Sequence, residues 1–100
     1  MRAKVKFALH VKQDIKQATT WYNQAQKGLG TRFFKNIKEE INFIANQPEC
    51  FQIRYETIHV AVIKIFPYTI HYQFLKSENT IIILGVFHTS IHPEKWTKRL

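Results

Sequence analysis

Cysteine, glycine and acidic residues are all scarce in this 100-residue chain, and each scarcity removes a class of chemistry. Cys50 is the single cysteine, so neither an internal disulfide nor a cysteine-rich metal cluster can form. It is expected to be a small, half-buried side chain. Three glycines cannot build either nucleotide-binding fingerprint, and none follows a strand into a helix in the required way. The seven acids are isolated except Glu39 and Glu40, which adjoin on a helix and therefore point apart, so paired-carboxylate catalysis is disfavoured. No apolar run approaches the roughly 18–20 residues of a membrane span. The charged and apolar residues that interleave from Met1 to Phe7 do not resemble a signal sequence, which predicts a cytoplasmic protein.

Positive charge is what the chain has in excess. Fifteen Lys and Arg against seven Asp and Glu give a net charge of +8, enough to attract a polyanion through several ångströms of screened solution. An acidic partner follows, either nucleic acid or protein. The length suits one domain over residues 1–100, and the apolar residues are spread along it as in a folded protein.

Apolar periodicity predicts the elements in order. Val5, Phe7 and Leu9 alternate with Lys4 and Lys6, the mark of a half-buried strand. From Val11 the period lengthens: Val11, Ile15, Ala18, Tyr22 and Ala25 form one helical stripe, ending near Gly28. A second helix carries Phe33, Ile37, Ile41 and Ile44, with Phe34 and Ala45 beside them, and stops before Pro48. So short a connection makes the two helices an antiparallel hairpin laid on a sheet. The sheet comes from Phe51 to Tyr55, Ile58 to Ile65, Tyr68 to Leu75 and Thr80 to Phe87, the last apolar enough to be its middle strand. The fold class is α+β: an N-terminal strand and a helix hairpin packed on a mostly antiparallel sheet of four to five strands.

Candidate chemistry gathers near the C-terminus. His88 sits at a strand end, where an imidazole titrating near 6.5 can act as a base or donor; a structural hydrogen bond is the plainer reading. His88 and His92 have a zinc-like spacing, but there is no third ligand and Pro93 intervenes, so no metal is assigned. His71 reads as ordinary strand surface. Trp21, Tyr22, Phe33 and Phe34 read as core by their helical spacing. Nothing in the pattern calls for a cofactor.

Three stretches carry a family resemblance. Trp21 to Phe33, with Gly28-Leu29-Gly30 and Arg32, resembles the helix-hairpin signature of the RelE/ParE toxin superfamily. Phe66-Pro67-Tyr68-Thr69-Ile70-His71-Tyr72 is similar to its strand signature. Ile83 to Ser90, then Pro93, Trp96 and Arg99, is similar to its last strand and tail. The resemblance implies the toxin of a type II toxin–antitoxin pair, neutralised by an acidic antitoxin and, within that complex, able to meet operator DNA.

RelE-like members cut messenger RNA on the ribosome, whereas ParE-like members poison DNA gyrase without being nucleases. On the RelE-like branch the resemblance assigns His88, Lys64 and Arg54 to catalysis. On either branch Lys95, Trp96, Lys98 and Arg99 become contacts to target or nucleic acid. The stretch Ile58 to Ile63 has no arginine where ribonuclease members often place one, and Ile91 stands where relatives commonly carry arginine. Together with the long Trp21–Phe33 signature, these departures make a ParE-like toxin the expectation. A RelE-like ribonuclease is the alternative, and a non-toxic, antitoxin-binding member is the third reading.

Overall fold

The apolar stripes of the two helices determine how the chain closes. In the computed structural model, which describes residues 2–91, α1 (Val11–Ala25) buries Val11, Ile15, Ala18 and Tyr22. The second helix, α2 (Leu29–Asn46), buries Gly30, Phe33, Ile37, Ile41, Ile44 and Ala45. These are the expected stripes, and they lie on a sheet built from β1 (Lys4–Phe7), β2 (Ile53–Tyr55), β3 (Ile58–Val62), β4 (Tyr68–Leu75) and β5 (Thr80–His88). The strands lie in the order β1-β5-β4-β3-β2. All pairings are antiparallel except β1 with β5, so the layout is the α+β one expected. Among the described residues no helix is long and apolar enough to cross a membrane.

The hairpin between the helices depends on two glycines. Gly28 takes a left-handed conformation at φ 86°, which suits a residue without a Cβ, and so turns the chain into α2. Gly30 packs against α1: its amide donates to Asn23 Oδ1 at 2.7 Å, and an added Cβ would strike the Thr19 carbonyl oxygen.

Strand alternation gives the sheet two faces. Toward the helices point Ala61, Ile70, Tyr72, Ile81, Ile83 and Val86, all members of the main core. Toward the other face point Ile58, Val60, Thr69, His71 and Phe87, buried but outside that core. A bulge shifts the β4–β5 register: His71 pairs with Gly85 and Tyr72 with Ile83. Gly85 is needed there because the Phe87 ring folds over it where a Cβ would stand.

Several expectations are corrected. The middle strand is β4; β5 lies between it and β1, apolar because it too is paired on both sides. The third strand ends at Val62, and Ile65 sits in the following bend, 67% exposed. Phe7 and Leu9 are exposed, because the sheet ends at β1 and the chain leaves it before Leu9. Tyr22 and Phe33 are core, whereas Trp21 and Phe34, one position off each stripe, face solvent. Ala25, in the last turn of α1, is exposed, and so is Cys50.

Gly30→Ala should wedge the helices apart and destabilise the protein by about 1–3 kcal/mol, the usual range for overpacking a tight contact. Urea unfolding followed by circular dichroism checks this, and Gly28→Ala should cost less, since nothing lies near its missing Cβ and only the positive φ is strained.

Candidate functional site

His88 closes β5 on the helix side of the sheet. Its backbone pairs with Tyr68, and its ring meets the Tyr68 ring edge-on at 5.2 Å. Tyr68 in turn belongs to an aromatic cluster with Tyr22, Phe33 and Phe66, whose neighbouring centroids lie 4.8 to 6.2 Å apart. The turn after β5 is tied down by the Thr89 amide, which donates to the Pro67 carbonyl at 2.8 Å. Within that turn the Ser90 amide donates to His88 Nδ1 at 3.0 Å, with the Ser90 hydroxyl 2.8 Å from the same nitrogen. A nitrogen that accepts an amide carries no proton, so in the neutral ring the proton sits on Nε2. His88 is thereby arranged to donate through Nε2, while its basic nitrogen is already engaged.

Lys64 lies in the loop between β3 and β4, which meets this same end of the sheet, so Lys64 and His88 share one rim. Arg54 does not join them. It lies on β2, three strands from β5 and level with the middle of β4, a lateral offset of about 14 Å at ordinary strand spacing. Lys95, Trp96, Lys98, Arg99 and His92 lie outside the described residues. Among the described residues no group of three His, Cys, Asp or Glu side chains is placed to hold a metal ion.

A second constellation, missed in the sequence, occupies the opposite face. His71 is fully buried, correcting its reading as strand surface. The Tyr55 hydroxyl lies 3.0 Å from its Nδ1, Thr69 Oγ1 lies 2.8 Å from its Nε2, and the Thr69 hydroxyl donates to the Phe87 carbonyl at 3.4 Å. One protonation pattern satisfies the whole chain: Tyr55 donates to Nδ1, Nε2–H donates to Thr69, and Thr69 donates onward. The ring is neutral. Burial, assisted by the nearby Arg54 charge, pushes its pKa down from 6.5 to about 4. The Phe87 ring packs edge-on against it at 4.9 Å.

The signal for this burial was weak. His71 alternates with Ile70 and Tyr72 like a surface residue, and only the position of β4 in the middle of the sheet reveals that both its faces are covered. The remaining described histidines are structural or peripheral. His59 is 2.6 Å from the Phe51 carbonyl through Nδ1 and stacks on Tyr72, while His10 takes a left-handed conformation at the start of α1.

The buried imidazole makes stability depend on pH with a definite sign. Between pH 6.5 and 4 the unfolded chain takes up a proton that folded His71 refuses, so stability falls as pH falls through that window and is complete above it. The loss between pH 7 and 5 should be about 2 kcal/mol. Thermal melts at several pH values check this: His71→Gln, which does not titrate, should be less stable at pH 7 but flatter toward pH 5 than the parent.

Comparison with known proteins places this geometry in a family. The profile described as the ParE toxin of the type II toxin–antitoxin system parDE matches residues 5–93. No curated protein sequence matches the chain. Among solved structures, a chromosomal ParDE toxin–antitoxin system from P. aeruginosa superposes with a TM-score of 0.72 at 14% identity, covering 87% of this chain and 96% of that one. The free E. coli toxin RelE, carrying two arginine-to-alanine changes, gives 0.72 at 12% identity, with 99% and 94% covered. The RelBE2 toxin–antitoxin complex from Mycobacterium tuberculosis gives 0.65 at 18% identity, with 88% and 92% covered. These likenesses establish a shared RelE/ParE fold, and the match across residues 5–93 shows that the chain belongs to the ParE toxin family of type II toxin–antitoxin systems.

Proposed function

We propose that this toxin acts in the ParE manner, by binding a cellular target such as DNA gyrase, and that an acidic antitoxin neutralises it. The observation that carries the reading is the dispersal of the groups a ribonuclease would need. Cleaving RNA through its 2′-hydroxyl requires a base beside the nucleophile and cations around the developing phosphate charge. Here the His88 nitrogen that would accept a proton already accepts the Ser90 amide. Arg54 stands on a different strand, away from the rim shared by His88 and Lys64. On the sheet face opposite the helices, strands β3 to β5 present Ile58, Val60, Val62, Thr69, His71, Gln73, Ile82 and Phe87, without a lysine or arginine.

Protein binding asks for less. It needs surface apolar and aromatic groups with complementary charge, and the exposed Trp21, Ile65 and Leu9 on a chain of net charge +8 provide them. The charge also fits neutralisation by an acidic antitoxin.

Inducible expression of the chain alone tests the reading, with growth, plasmid topology and primer extension on abundant transcripts followed in the same cells. The expected outcome is growth arrest with altered supercoiling or DNA breaks, no codon-phased cuts, and rescue by the antitoxin. Toxicity should survive the double change His88→Ala, Lys64→Ala to within about threefold, since neither group performs chemistry. Codon-phased cuts with normal topology would establish the ribonuclease alternative, and unimpaired growth with soluble, folded protein would establish a non-toxic member.

A further inference from the structure

We infer that the free edge of β1, with the apolar slot beneath it, is the docking site for an extended, acidic segment of a partner protein that adds a sixth strand to the sheet. In the reading above, that partner is the antitoxin.

The backbone makes the first half of the argument. β1 is the last strand of the sheet and pairs with β5 on one side only. The Lys4 amide donates to Asn79 and the Ala8 amide to Ile83, both at 2.9 Å, so residues 4, 6 and 8 turn their hydrogen-bonding groups inward. The amides and carbonyls of Val5 and Phe7 therefore point out of the sheet, where no other described strand lies. Unpaired donors and acceptors in register are a template for another strand, and proteins ordinarily blunt or cover them. This edge has no proline and no bulge; its only guard is the charge of Lys4 and Lys6.

The side chains make the second half. Phe7 forms part of a slot of about 320 Å³ that continues between the helices over Ile15, Phe34, Ile37 and Ile41. Phe7 is 39% and Phe34 45% exposed, so the slot opens to solvent beside the edge. Lys12 and Lys38 stand at its margins, each ammonium 5.4 Å from a ring centre, over Phe7 and Phe34 respectively. A strand laid along β1 would place alternate side chains over the slot and the others beside Lys4 and Lys6. The occupant that satisfies both is a segment alternating apolar with acidic residues.

Charge chooses between occupants. A second copy of this chain paired through the same edge would bring lysines 4 and 6 of each copy together, and like charges across a strand pair are destabilising. An acidic segment turns the same four lysines, 4, 6, 12 and 38, into partners.

The test uses the full chain and the antitoxin, taken as the product of the adjacent gene. Amide exchange followed by nuclear magnetic resonance should show the Val5 and Phe7 amides exchanging freely in the toxin and becoming protected in the complex. Val5→Pro removes only an outward-facing donor, a place where an edge strand tolerates proline. It should melt within a few degrees of the parent and bind the antitoxin at least about tenfold more weakly. Lys4→Glu with Lys6→Glu should weaken binding similarly and flatten its salt dependence.

Unprotected Val5 and Phe7 amides in a formed complex, or a folded Val5→Pro variant that binds as the parent does, would overturn the edge assignment and leave the antitoxin reading standing. Protection that appears in the toxin alone on raising its concentration would name a second copy as the occupant and overturn the acidic one. Failure of the unsubstituted chain to bind the antitoxin would overturn both readings. Should Val5→Pro not fold, the exchange measurement on the parent decides.

Discussion

Four rings hold the helix hairpin to the sheet. Tyr22 comes from α1, Phe33 from α2, Phe66 from the loop before β4 and Tyr68 from β4 itself, and Phe33 lies within 5.3 Å, centre to centre, of each of the other three. Each ring belongs to a different segment, so no one of them is buried until the hairpin has closed on the strands. Edge-to-face and tilted contacts between rings add a directional component to the burial of large apolar area. The consequences extend past the cluster. Tyr68 carries the His88 ring on its edge, and Pro67, between Phe66 and Tyr68, accepts the amide that fixes the turn after β5. The rim holding His88 and Lys64 therefore inherits its geometry from the packing of the helix hairpin.

The same layering explains why the two sides of the sheet differ in chemistry. Under the helices the core is hydrocarbon and aromatic, and its polar members, Tyr72 and His59, direct their polar atoms to the Pro48 and Phe51 carbonyls at 2.7 and 2.6 Å. On the other side a titratable ring is buried in a string of hydrogen bonds through Tyr55 and Thr69. Such a string keeps an imidazole neutral and holds it in one tautomer, which makes it a pH-sensitive structural joint between β2, β4 and β5.

Much of this was legible in the sequence, and the failures have physical causes. The stripes Val11-Ile15-Ala18-Tyr22 and Phe33-Ile37-Ile41-Ile44 stand out because burial on one face of a helix imposes a 3.6-residue period. Trp21 and Phe34 were misplaced because neighbouring aromatics look alike in composition and differ only by about 100° around the axis. His71 was misread because alternation identifies the two faces of a strand without saying whether each is covered; coverage depends on strand order, which is a tertiary property. The exposure of Phe7 belongs to the same class, since nothing local announces that β1 is an edge. Of the candidate residues, the strand-end position of His88 was readable, while its separation from Arg54 required the strand order.

Charge links fold to function in this chain. Among the described residues an ion pair forms between Lys76 and Glu49 at 3.7 Å, but both side chains are largely exposed, so it contributes little. The excess of eight positive charges is thus carried on a molecule only 42 × 31 × 23 Å across, with little internal compensation, and self-repulsion works against the compact state. Any acidic protein that binds the folded form removes part of that repulsion as well as contributing its own contacts. By mass action it stabilises the fold it occupies. A toxin built this way is more robust inside its neutralising complex than outside it, and one uncompensated surface serves both to recognise the antitoxin and to make the free protein the less stable of the two forms.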